Sequence, residues 1–219
     1  MSNEVAKPGQ PNPWEAYGNA AAARMIVGDL LKFSKGDYTA GAYDDEVPLG
    51  TKLVAVMDSL QVGWVRWQGN RPTQHIMGPV AGGFQPPSRR DLGDEDEDEW
   101  EADDKGERRD PWQFSNYLLL VKPDDHDAVF TFTTSSRGGL GALGELCKTF
   151  GKHMRQVPDA YPIVALGAGS YQHSNRSYGR IKYPVFEVVG WTDKGDFAEL
   201  LDDVPDGSGN AAKLSPPPF

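Results

Sequence analysis

NYLLLVKPDDHDAVFTFTT (116–134), followed at once by SSRGGLGALGELCKTFGKHMRQ (135–156), decides the fold class because the hydrophobic period changes between the two. In the first stretch, residues 116–122 and 128–134 are rich in β-branched, leucine and aromatic side chains and flank Pro123-Asp124-Asp125-His126-Asp127. Turn formers between two such runs predict an antiparallel hairpin. In the second, a step of 100° per residue puts Leu140, Leu143, Cys147, Phe150 and Met154 on one side, and Lys148, Lys152 and Arg155 on the other. That is an amphipathic helix, weakened by about 1 kcal/mol at each of Gly141, Gly144 and Gly151 relative to alanine.

The neighbouring segments extend the β pattern. YPIVALG (161–167) and IKYPVFEVVGW (181–191) read as strands, and Pro184 restricts the second to an edge or a bulge because it has no N–H to donate. TKLVAVMDS (51–59) and LQVGWVRWQ (60–68) read as two strands around an Asp58-Ser59 turn, with a third at HIMGPVAGG (75–83). WEAYGNAAAARMIVGDLLKF (14–33) has the composition of a helix. The expectation is a mainly β fold with one or two helices (α+β) in a single domain, 14–192. Residues 1–13 are polar and proline-bearing and are expected to be disordered, and 193–219 form a tail. Strands, an acidic excursion, a hairpin, a helix and closing strands are the element order of an OB-like closed β-barrel, the oligonucleotide-binding type. No internal repeat is present.

The formal charge of −10 is concentrated in two segments: residues 91–110 carry twelve acids and three bases, and 193–219 six acids and two bases. The remaining body is close to neutral or mildly basic, so the total does not exclude a polyanionic partner. Asp94 to Glu99 are six consecutive acids that repel one another, which predicts an extended, solvated insertion over 91–110, either solubilising or fencing a basic groove. Cys147 is the only cysteine, which excludes an internal disulfide and fits a reducing cytoplasm. The first residues lack the apolar core of a signal peptide, and no run approaches the ~18 apolar residues of a membrane span, so no membrane partner is expected.

Catalysis finds little support in the chain. His75, His126, His153 and His173 show no metal-binding spacing, Cys147 falls on the predicted apolar face, and no G-x-S-x-G exposes a nucleophile. Gly139, Gly141 and Gly144 satisfy G-x-G-x-x-G between a predicted strand and a predicted helix, the context of a dinucleotide site. Against it, 128–134 alternates polar and apolar where a parallel strand buried on both faces is continuously apolar. The strand after the helix also ends without the acid that holds a ribose. The expectation is a non-enzyme without a cofactor or metal; a dinucleotide-dependent enzyme using Gly139–Gly144 is the lower alternative.

SYQHSNRSYGRIKY (170–183) interleaves rings with cations and contains no acid. Bases stack on ring faces while cations follow phosphates, which is the chemistry of single-strand binding. VGWVRWQGNR (62–71) repeats the pattern. The candidate stacking groups are Trp64, Tyr171 and Tyr178; the candidate phosphate contacts are Arg66, Arg137, Lys148, Lys152, Arg155, Arg176, Arg180 and Lys182. In the tail, Phe197, Leu200 and Leu201 share a helical face, and Phe219 ends the chain after three prolines, so these four are candidates for partner binding.

An acidic tail with a terminal aromatic on such a barrel resembles bacterial single-stranded DNA-binding proteins and the counterparts encoded by tailed phages. Asp202-Asp203-Val204-Pro205 is similar to the acidic half of their tip, with Asp206 where those proteins carry Phe, and Pro218-Phe219 supplies the terminal pair. The block from Leu92 to Trp191, with RDPWQFSNYLLL, FTFTTSSRGG and YGRIKYPVFEVVGW, also resembles proteins of phages and prophages. The resemblance implies a protein of the bacterial host cytoplasm that coats single-stranded DNA in phage replication or recombination and recruits replication or recombination proteins by its tail. It leaves homo-oligomerisation open. A phage structural or adaptor protein is the alternative.

Overall fold

The computed structural model describes residues 25–102, 106–202 and 204. The residues that read as two strands around a turn form one, β4 (Lys52–Gln68). Asp58-Ser59 is a bulge in it, because partners far along the chain satisfy the polar pair. Ser59 Oγ donates to Val56 O at 2.6 Å and accepts from Leu119 N at 3.0 Å, where the register of β4 shifts between Val56 and Gln61. Asp58 accepts from Tyr161 Oη at 2.9 Å and from Lys194 Nζ at 3.0 Å. The chain turns instead at Gly69-Asn70, whose φ values of 54° and 59° suit a two-residue hairpin into β5 (Arg71–Pro79).

Trp112–Lys122 (β6) and Asp125–Thr134 (β7) make the expected hairpin, and Arg137–Met154 (α1) the expected helix, capped by Ser136 Oγ accepting from Gly139 N at 3.1 Å. Ala160–Gln172 (β8) and Arg180–Asp193 (β9) pair antiparallel. The helix expected over 14–33 is not formed in its described part: Asp29–Ser34 is a strand, β1, that pairs antiparallel with β2 (Asp37–Ala40) and parallel with β7. Gly28, at φ 67°, admits it; a Cβ there would stand 2.1 Å from Val129 O. Residues 14–24, like the expected disorder of 1–13, lie outside the described residues.

With β3 (Asp45–Val47), the strands of one mixed sheet run β3-β2-β1-β7-β6-β4-β8-β9, and β5 continues along β4 beyond β8. The sheet curls until its ends approach. Tyr38 of β2, fully buried, donates from its hydroxyl to Gly167 O of β8 at 3.1 Å. Among the described strands no backbone pair joins β9 to β1, β2 or β3, so this is an open half-barrel and not the closed barrel expected. Two causes are visible: a side chain spans the gap, and Pro184 on the outermost strand β9 has no N–H for a ladder.

Against the sheet, α1 buries Leu143, Leu146 and Phe150 beside Tyr161 and Phe197. It lies along β9, its start at Tyr183 and its last turn stacking His153 on Trp191 at 3.5 Å. Leu146, not Met154, completes the apolar face; Met154 is exposed beyond the sheet's cover. Among the described residues after β9, Phe197 is 2 % exposed, and Leu200 and Leu201 of α2 (Ala198–Asp202) lie against the core. Phe197 is thus a core residue, and Leu200 and Leu201 are partly buried against that core, not the fully free partner-binding ridge expected. Among the described residues, no helix is long and apolar enough to cross a membrane.

The acidic run departs from expectation as well. Its described residues fold back over β4 and β6 by anchoring Asp94, which accepts from Arg66 Nε at 2.8 Å and from Trp112 Nε1 at 2.9 Å. Arg89 binds Asp110 at 2.7 Å, and Trp64 Nε1 donates to Pro87 O at 2.9 Å. Local repulsion is offset because arginine and indole donors from the sheet and the run's own flank meet these carboxylates and carbonyls.

Candidate nucleic-acid interface

The β8–β9 hairpin extends past the start of β4 and carries the candidate residues closest together. Asn175 shapes its tip: Oδ1 accepts from Ser177 N at 3.0 Å and Ser177 Oγ at 2.8 Å, which winds Arg176–Tyr178 into a single 3-10 turn. Gly179, at φ 63°, returns the chain into β9. The register sets Gly169 opposite Tyr183, Ser170 opposite Lys182, Tyr171 opposite Ile181 and Gln172 opposite Arg180. Alternation therefore gives the two-stranded ribbon a ring face, with Tyr171 and Tyr183, and a cation face, with Arg180 and Lys182.

Other elements complete each face. The start of α1 meets the ring face through Gly138, which lies against Tyr183 and directly follows Arg137. The β1–β2 turn meets the cation face: Gly36 lies against the methylenes of Lys182, and Lys35 precedes it at φ 55°. Five cationic residues, Lys35, Arg137, Arg176, Arg180 and Lys182, thus share one end of the molecule, and among the described residues none has a salt-bridge partner. Residues 160–186 contain no acid, and the first acid of α1 is Glu145, about two turns from its start; Asp37, the first residue of β2, is the exception nearby. Tyr171 is 47 % exposed. Tyr178 stands in the turn.

The remaining candidates lie elsewhere. Lys52 pairs with Ala165, so Trp64 and Arg66 run away from the hairpin tip, with on the order of 60 Å of strand between Arg66 and Tyr171. Arg66 is engaged by Asp94, whose carboxyl it holds below the usual range chiefly through their hydrogen bond. Trp64 packs edge-on against Phe114 at 5.3 Å. A cavity of about 250 Å³ beside them is lined by Trp67, Trp100, Asp96, Glu99 and Glu101 among others, the opposite charge to the hairpin end. Lys148 binds Glu145 at 2.6 Å, and the helical rise puts Lys148, Lys152 and Arg155 roughly 16, 22 and 27 Å along α1 from Arg137. One continuous trough through all the candidates is therefore not formed. Chemical likeness between 62–71 and 170–183 suggested one surface; strand length separates them.

Sequence reasoning left two contributors out of the candidate set, Lys35 and Tyr183. Lys35-Gly36 carries a turn signal, but nothing local pairs that turn with Lys182. Phe219 lies outside the described residues.

Gly139–Gly144 stand where a strand passes into a helix, yet β7 and β8 are neither neighbours nor parallel, so the βαβ unit of a dinucleotide fold is absent from the described residues. Gly139 serves packing, since a Cβ would stand 2.0 Å from Thr134 Oγ1, while Gly141 and Gly144 face open space. Among the described residues, no three His, Cys, Asp or Glu side chains gather in a metal-binding cluster. No protein family, curated protein or solved structure matches this chain.

Proposed function

We propose that the chain binds single-stranded DNA without catalysing a reaction, and that it does so at the β8–β9 hairpin end. One observation carries the reading: five cations without acidic partners surround a hairpin, one face of which carries tyrosine rings. Phosphates attract the cations without regard to sequence, and unpaired bases add stacking that duplex bases cannot offer. The reading needs this end alone, not a closed oligonucleotide-binding barrel. A role in phage replication or recombination rests on the resemblance, and recruitment of partners by the tail falls to residues beyond Val204.

Fluorescence titration with oligo-dT over a range of salt tests it. If all five cations displace counterions, log K falls with log salt at a slope of about −3.5. Arg176→Ala with Arg180→Ala reduces that slope by about 1.4 and leaves the fold intact. Salt-independent binding, or none, overturns the proposal. The adaptor reading is favoured by the outer edge of β9, which has no strand partner among the described residues; large assemblies by light scattering without nucleic acid would support it instead.

A further inference from the structure

We infer that Tyr171 and Tyr183 form a pincer that takes one unpaired base of a single strand between their rings, with Tyr183 held in position by Gly138 and Gly169. The inference rests on the single-strand reading above and names the part of the strand that this end selects.

Tyr183 is the fixed arm. A Cβ on Gly169 would stand 2.3 Å from Tyr183 Cζ, and one on Gly138 would stand 2.7 Å from Tyr183 Cβ. The ring therefore rests on the backbone of β8 while the root of the side chain is pinned by the first turn of α1. Neither glycine has a positive φ, so what glycine supplies at both positions is space for this tyrosine and not a backbone conformation. Tyr171 is the movable arm, on the same face one diagonal step away and exposed near the hairpin tip.

The ring centroids are 6.2 Å apart with planes inclined at 40°, and neither phenol hydroxyl has a hydrogen-bond partner among the described residues. A base in contact with both rings at ~3.5 Å on each side needs about 7 Å between them. A rotation of the exposed Tyr171 that opens the pair and brings its plane parallel to Tyr183 supplies that, with the cations of this end left to hold the flanking phosphates. Bases in a duplex present no free faces, so the pincer accepts single strands and rejects duplex.

The test uses the full chain with oligo-dT, oligo-rU and a duplex, and with an oligonucleotide carrying 2-aminopurine, whose fluorescence is quenched by stacking. Tyr171→Leu and Tyr183→Leu are each expected to weaken binding of both single strands roughly tenfold and to abolish the quench, leaving the salt slope unchanged. Tyr171→Phe and Tyr183→Phe keep both. Gly169→Ala, which displaces Tyr183 without removing a ring, is expected to resemble Tyr183→Leu. In the unaltered protein, photocrosslinking of 5-iodouracil oligonucleotides is expected at Tyr171 or Tyr183, a readout that needs no variant to fold. Salt-dependent binding with unchanged affinity and quench in the leucine variants, or crosslinks only elsewhere, overturns the pincer and leaves the single-strand reading standing. No binding of either single strand removes both.

Discussion

Acidification should destabilise this fold through a single histidine. His75 of β5 is 9 % exposed, its Nε2 lies 3.4 Å from Tyr117 Oη, and its Nδ1 has no hydrogen-bond partner. Burial lowers its pKa from 6.5 to about 4, because a charged imidazole there would lose its hydration without a compensating anion. The folded pKa lies below the unfolded one, so between the two values the unfolded chain binds the extra proton. The stability contribution is full above about pH 6.5 and declines as pH falls towards 4. Linkage sets the loss at about 2 kcal/mol by pH 5 and about 3 kcal/mol in total. Urea unfolding of the protein and of His75→Gln, which cannot charge, should be compared at pH 7.5, 6 and 5. Subtracting the two profiles removes the carboxylates common to both. The stability of the parent relative to the variant should decline by about 2 kcal/mol across that range, and the imidazole resonances should titrate with a midpoint near 4. Parallel profiles, or a midpoint near 6.5, would refute the argument that burial keeps this ring neutral.

Three further perturbations probe the packing. Phe197→Ala should cost about 3–5 kcal/mol by denaturant unfolding, since its ring is buried against Tyr161; a near-neutral effect would restore the tail to a free docking role. Gly28→Ala should lower stability by at least about 2 kcal/mol in thermal melts, because the Cβ meets Val129 O in a left-handed backbone conformation. Asp94→Asn should cost no more than about 1 kcal/mol, its ion pair with Arg66 being partly exposed, yet should hasten proteolysis within 91–110; equal cleavage rates would show that Asp94 does not anchor the run.

What the sequence made legible was local. The 116–134 hairpin and the 137–154 helix carry their own period and turn chemistry, and both were read from them. The bulge at Asp58-Ser59 was not legible, because the groups that satisfy it are Leu119, Tyr161 and Lys194, far along the chain. β1 was missed for a related reason: its parallel partner, β7, lies about a hundred residues away, and the alanine-rich stretch before it has a helix-like composition. The site divides in the same way. Arg176, Arg180, Lys182 and Tyr171 come together because one hairpin holds them, whereas Arg66 and Trp64 share their chemistry but sit at the far end of a strand whose length no local motif reveals. The acidic run showed its charge in the sequence and hid its anchors, Arg66 and Trp112.

The separation of the Asp94-anchored run from the β8–β9 hairpin gives the molecule a lopsided field. A drifting polyanion exerts a torque on such a body, turning the carboxylate-laden pole aside and the guanidinium-bearing pole forwards before any contact forms. If the proposed single-strand binding holds, encounters are thereby pre-oriented, and the advantage fades as added electrolyte shortens the reach of the field.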